Sequence, residues 1–160
     1  MKKILNSIKE KFKPKDFESG YEKLTKELVE LCFEYVKYDS QDVEEIFIFC
    51  STELETIWFN VFYKINNQIL KKHKVGDKYD TSDRKQILLN KEANKVIQKL
   101  IANFKLFSKD LPSEFRITYK TDGGKFDCKM NYESMMEKNQ NVTMHTICDE
   151  WINLEKTKLK

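Results

Sequence analysis

Two hydrophobic rhythms alternate along this chain, one recurring every three or four residues and the other running through short, dense β-favouring stretches. The helical rhythm first places Tyr21, Leu24, Leu28, Leu31, Cys32 and Tyr35 on one face. Ser19 and Glu22 form an S-x-x-E capping box that predicts the start of that helix. The longest helix is predicted from about Asp83 to Ser108. Its buried stripe is Ala93, Val96, Ile97, Leu100, Ile101, Phe104 and Phe107, and it ends before Leu111-Pro112. A last helix from about Val142 buries Met144, Ile147, Cys148 and Trp151 ahead of a lysine-rich tail that is expected to fray.

Residues 44–65, EEIFIFCSTELETIWFNVFYKI, form the densest aromatic and β-branched run. They read as two strands joined by a polar turn at Ser51–Glu55. Apolar residues on both faces mark strands covered on both sides of a sheet. Gln68–Val75 is predicted as a third, edge-like strand whose lysines suit an exposed rim, followed by a polar loop over Gly76–Ser82. A second hairpin turns at Asp122-Gly123, pairing Phe115 with Met130, Ile117 with Cys128 and Tyr119 with Phe126 on a core face. Arg116, Thr118, Lys120, Lys125, Asp127 and Lys129 share its wet face, with Arg116 opposite Lys129 and Lys120 opposite Lys125. The fold expected is a single α+β domain, an antiparallel sheet of about five strands covered by helices.

Composition adds a charge map. The net charge is +3, yet residues 1–15 carry +5 and residues 155–160 carry +2, which leaves −4 for residues 16–154. Residues 1–15 read as a basic amphipathic helix, with Ile4, Leu5, Ile8 and Phe12 on one face among lysines, before Pro14 interrupts it. Such a helix serves as a membrane-surface or nucleic-acid arm, or docks by its apolar face on the domain formed by residues 16–160. One short helix of this kind holds a membrane only weakly, so no stable membrane association is expected. No apolar run reaches the ~20 residues of a membrane span, and no signal peptide is recognisable.

Candidate chemistry is sparse. Cys32, Cys50, Cys128 and Cys148 are widely spaced without a C-x-x-C, as expected of reduced, buried thiols in a cytoplasmic protein. His145 and Cys148 share a helical face but lack further ligands in sequence, so no metal is expected. His73 sits between Lys72 and Lys74 and reads as a solvated strand residue. Asp77, Asp80 and Asp83 lack the spacing of a calcium loop, and Asp80 to Asp83 suits capping of the long helix instead. Four glycines, two of them adjacent, form no phosphate-cradling loop, and no cofactor or enzymatic activity is expected.

Several segments together resemble the YezG-like immunity family, antitoxins of bacterial polymorphic toxin systems. They are Val43–Ser51, Phe62–Val75, Asp83–Gln86, Leu111–Glu133 and Cys148–Leu154, with LPSEFRITYKTDGGKFDCKMNYE the strongest. The resemblance implies a non-enzymatic cytoplasmic protein that binds and neutralises a cognate secreted toxin domain, commonly a nuclease. An acidic body would steer a basic partner toward itself. Asp42, Glu44, Glu45, Glu53 and Glu55, which flank the first central strand, are the candidate toxin-binding carboxylates. The alternative is a small nucleic-acid-binding module using the basic N-terminal helix and the Arg116, Lys120, Lys125, Lys129 face.

Overall fold

The computed structural model describes residues 13–36, 42–139 and 141–159. Residues 1–12, and with them most of the basic N-terminal helix expected from sequence, lie outside that set. Among the described residues the helices are α1 (Phe17–Tyr35), α2 (Asp83–Leu106), the single turn α3 (Met135–Lys138) and α4 (Met144–Thr157). The strands are β1 (Val43–Ser51), β2 (Trp58–Ile65), β3 (Gln68–Lys71), β4 (Glu114–Lys120) and β5 (Lys125–Asn131). They form one antiparallel sheet in the order β3-β2-β1-β4-β5, giving the expected α+β domain with β1 at its centre.

The two-sided apolar character of β1 and β2 is resolved by two layers of helix. Ile46, Ile48 and Cys50 of β1 join Val61 and Tyr63 of β2 and Phe115 and Ile117 of β4 on the first face, under α1 and α2. Phe47, Phe49 and Phe62 point to the second face, where α4 covers them with Ile147, Cys148, Trp151 and Ile152. Phe47 and Phe62 are direct cross-strand partners whose rings stack at 4.6 Å, and Trp151 meets them edge-on at 5.8 and 5.0 Å. Burying Trp151 against these rings stabilises the second layer by roughly 3–5 kcal/mol, the usual loss on truncating such a side chain. Lys71 of β3 adds a surface ion pair at 2.9 Å to Asp149 of α4.

Several local expectations are corrected. Helix α1 begins at Phe17, capped by Asp16, whose Oδ1 accepts from the Ser19 amide at 2.7 Å and the Ser19 hydroxyl at 2.6 Å. A carboxylate three residues upstream therefore takes the capping role and leaves Ser19 inside the helix. Strand β3 stops at Lys71, because Lys72–Lys74 turn into a 3-10 helix that carries an exposed His73 away from the sheet. The second hairpin has the predicted register, but its ladder closes at Lys120 and Lys125 around four residues, Thr121–Gly124. Gly123 and Gly124 there take φ of 79° and 61°, conformations that favour glycine. Ser82 caps α2 while Asp80 accepts from the Ser82 amide. Helix α4 starts at Met144, leaves it half-buried, and continues through Lys156 and Thr157, where a fraying tail was expected.

Helices α1 and α2 meet at Gly20. The buried Asn103 of α2 donates from Nδ2 to the Phe17 carbonyl at 3.1 Å, and a Cβ at Gly20 would lie 2.3 Å from Asn103 Oδ1. Gly20→Ala in an open helix gains up to ~1 kcal/mol. Here it is expected to cost about 1–3 kcal/mol by overpacking. In Gly20→Ala/Asn103→Ala the two losses should be less than additive in denaturant unfolding, since the second change removes the clash. A Gly20→Ala protein more stable than wild type would refute this account.

Candidate interaction surfaces

The five predicted carboxylates do not form one cluster. Strand β1 separates them into two groups about 25 Å apart, at ~3.3 Å per strand residue. Asp42, Glu44 and Glu45 lie at its start and are already engaged within the chain. Lys64 Nζ lies 3.2 Å from Glu44 and 3.9 Å from Glu45, the Asn67 amide donates to Glu44 at 2.8 Å, and Lys78 donates to Asp42 at 2.5 Å. A cross-strand neighbour, Lys64, and the Gly76–Ser82 loop, through Lys78, supply these cations, which sequence spacing alone does not reveal.

Glu53 and Glu55 occupy the turn between β1 and β2. Its 3-10 geometry is broken by Leu54 and Glu55, whose φ values of 56° and 57° are left-handed in residues that carry side chains. Such conformations cost of order 1 kcal/mol or more each and need external support. The Thr52 hydroxyl and amide donate to the Pro112 and Ser113 carbonyls at 2.6 and 2.9 Å, and the Thr56 amide closes onto Glu53 O at 3.1 Å. The braced turn leaves Leu54 72% exposed between two acids. Glu53 Oε1 is buried and has no hydrogen-bond partner. Beside the turn lies a notch of about 210 Å³ that includes Ile57, Ile101 and Leu111.

The basic face of the second hairpin forms one wall of a cleft of about 510 Å³ between β5 and α4. Arg116, Lys120, Lys129, Lys64 and Lys158 share it with Glu45, Asp127 and Glu155, so its charge is mixed with a basic excess. Arg116 Nε donates to Glu114 at 2.8 Å, and the guanidinium lies 5.7 and 5.3 Å from the Phe49 and Trp151 rings. Those contacts tie Arg116 to the second-face core and leave less of its charge for a ligand.

Sequence reasoning missed a groove of about 710 Å³ on the first face, between α1 and the β4–β5 hairpin. Tyr21, Val29 and Phe33 face Tyr119 and Phe126 across it, and Glu18, Glu22, Glu30 and Glu34 line the α1 side. Those acids fall in two four-residue pairs, Glu18/Glu22 and Glu30/Glu34, with Lys26 at the four-residue step between them, a signal legible in the sequence. Helix α1 carries five Glu against two Lys, a net −3, most of the acidity of the body. Phe126 remains 43% exposed because α1 stops short of the edge strand.

Among the described residues no group of three His, Cys, Asp or Glu side chains is placed to hold a metal ion. His145 packs edge-on to Trp58 at 5.2 Å, while Asn60 Nδ2 lies 3.7 Å from Cys148 Sγ. Among the same residues no helix is long and apolar enough to cross a membrane. No family model matches the chain, and no curated protein matches it significantly.

Burial pushes the thiols up, that of Cys148 to about 11, with Cys32, Cys50 and Cys128 also raised. A group whose folded pKa is raised loses its stabilising contribution as pH climbs from the unfolded value toward the folded one. The denaturant midpoint is therefore expected to fall progressively between about pH 9 and 11 as unfolded thiols ionise. Alkylation of the native protein at pH 8 should be slow and begin at Cys128, the one of the four thiols that is not fully buried. A midpoint unchanged across that range would refute the assignment.

Proposed function

We propose that this protein is an immunity protein that binds a cognate secreted toxin, a nuclease in this reading, and neutralises it in the cytoplasm of the producing cell. The observation that carries the proposal is the Glu53–Leu54–Glu55 turn, which holds an exposed apolar side chain between two carboxylates in a strained, braced conformation. A preformed tip of this kind inserts Leu54 into a partner while Glu53 and Glu55 meet the cations of a phosphate-binding surface. A partner lysine or arginine would supply the donor that Glu53 Oε1 lacks. The net −4 of residues 16–154 favours encounter with a basic partner, and the resemblance to the YezG-like immunity family points to a toxin as that partner. Asp42, Glu44 and Glu45, held by Lys64 and Lys78, are assigned a secondary part.

The test is coexpression with the toxin domain encoded beside this gene, followed by titration calorimetry. Wild type is expected to protect the cell and bind tightly. Glu53→Lys/Glu55→Lys and Leu54→Asp should each weaken binding by about 10- to 1000-fold, the range of a central contact worth 1.4–4 kcal/mol. Glu44→Lys should change affinity by less than about tenfold, as expected of a rim charge. A wild type that binds no toxin but holds oligonucleotides with steeply salt-dependent affinity would overturn the proposal in favour of a nucleic-acid module.

A further inference from the structure

Strand β5 is an edge of the sheet, and its residues are complementary to themselves. The Thr121 amide donates to the Glu44 carbonyl at 3.0 Å and the Thr52 amide to the Ser113 carbonyl at 2.9 Å, so the odd-numbered positions of β4 turn their backbone toward β1. Glu114, Arg116, Thr118 and Lys120 therefore turn theirs toward Asn131, Lys129, Asp127 and Lys125 of β5. That alternation directs the N–H and C=O groups of Phe126, Cys128 and Met130 away from the sheet, in a row that can take a further strand. We propose that a second copy of this chain supplies it, β5 pairing antiparallel with β5 around a two-fold axis at Cys128 to give a homodimer with one continuous sheet.

The residues select the register. Centred on Cys128, the pairing uses all seven residues of the strand and sets Phe126 opposite Met130, Asp127 opposite Lys129 and Lys125 opposite Asn131 of the second copy. Outward backbone groups then meet outward backbone groups, and the charges facing each other across the axis are of opposite sign. Moving the axis to Asp127 shortens the overlap and sets Asp127 against itself and Lys125 against Lys129. Moving it to Lys129 sets that lysine against itself. An axis between residues would set outward groups against groups already bonded to β4. Lysines commonly guard a sheet edge against such pairing, but Asp127 between Lys125 and Lys129 cancels the guard in this one register. On the first face Phe126, 43% exposed, gains the Met130 thioether of the second copy as a neighbour, an aromatic–sulfur contact over apolar surface that α1 leaves open. The Glu53–Glu55 turn takes no part in this contact, so dimerisation and toxin binding can fail independently.

Sedimentation equilibrium and hydrogen exchange on the full chain test it. One strand pair is a small interface, so a reversible monomer–dimer equilibrium is expected, with exchange at the Phe126, Cys128 and Met130 amides slowing as concentration rises. Asp127→Lys and Lys129→Asp each set like charges opposite one another on both sides of the axis and should each weaken the dimer by about 10- to 100-fold. Asp127→Lys/Lys129→Asp should restore it. An equimolar mixture of the two single variants should form a heterodimer, a rescue that misfolded chains could not give. A wild type that stays monomeric up to about 1 mM would overturn the proposal. So would a dimer that both single variants leave intact, or protection of the three amides in a monomer, which would make another segment of the same chain the occupant.

Discussion

Strand β1 is buried on both faces, and the fold is arranged to meet that condition. Ile46, Phe47, Ile48, Phe49 and Cys50 are each at most 1% exposed, so five consecutive side chains have left water in alternate directions. A strand of this kind is stable only with neighbours on both edges to satisfy its backbone and helices on both faces to cover its side chains. Strands β2 and β4 supply the edges, α1 and α2 one face, and α4 the other. Polar groups enter where they gain a partner: the buried Tyr63 hydroxyl donates to Cys32 O at 2.6 Å and links β2 to α1.

The covers are unequal, and the surfaces available for recognition follow from that inequality. Helix α4 spans β1 to β3 and leaves the outer face of β4–β5 open, where Arg116 bridges from Glu114 to the Phe49 and Trp151 rings. On the opposite face α1 and α2 leave Phe126 at the far edge uncovered. The β1–β2 turn escapes both layers and presents Leu54 at the end of the sheet. Each surface thus occurs where a helix layer ends, and the most deeply buried of the described strands leads directly into the strained turn.

Charge does not follow the sequence map in a simple way. The carboxylates beside β1 look available in sequence, yet those at its start are matched by lysines from β2 and the Gly76–Ser82 loop. Helix α1 holds an acidic edge of Glu18, Glu22, Glu30 and Glu34, interrupted by Lys26 alone, beside a mostly apolar floor. An exposed, matched carboxylate contributes little net attraction. A row in acidic excess beside an apolar floor defines both a polarity and a shape, so net charge over a segment is a poorer guide to recognition than what each charge faces across the fold.

The sequence by itself determined the class and most of the skeleton. Hydrophobic periodicity is a local property, so the helices, the central strands, the two-sided burial of residues 46–50 and the register of the second hairpin are legible without coordinates. Element ends were less legible because local signals compete there: Asp16 outcompeted the Ser19 capping box, and the 3-10 turn at Lys72 cut β3 short. Only the tertiary structure decided which carboxylates are neutralised and where the helix layers stop. It alone set Leu54 and Glu55 in left-handed backbone, a cost met by hydrogen bonds from Thr52 to residues some sixty positions away. Those outcomes depend on contacts between segments remote in sequence, which no local pattern encodes.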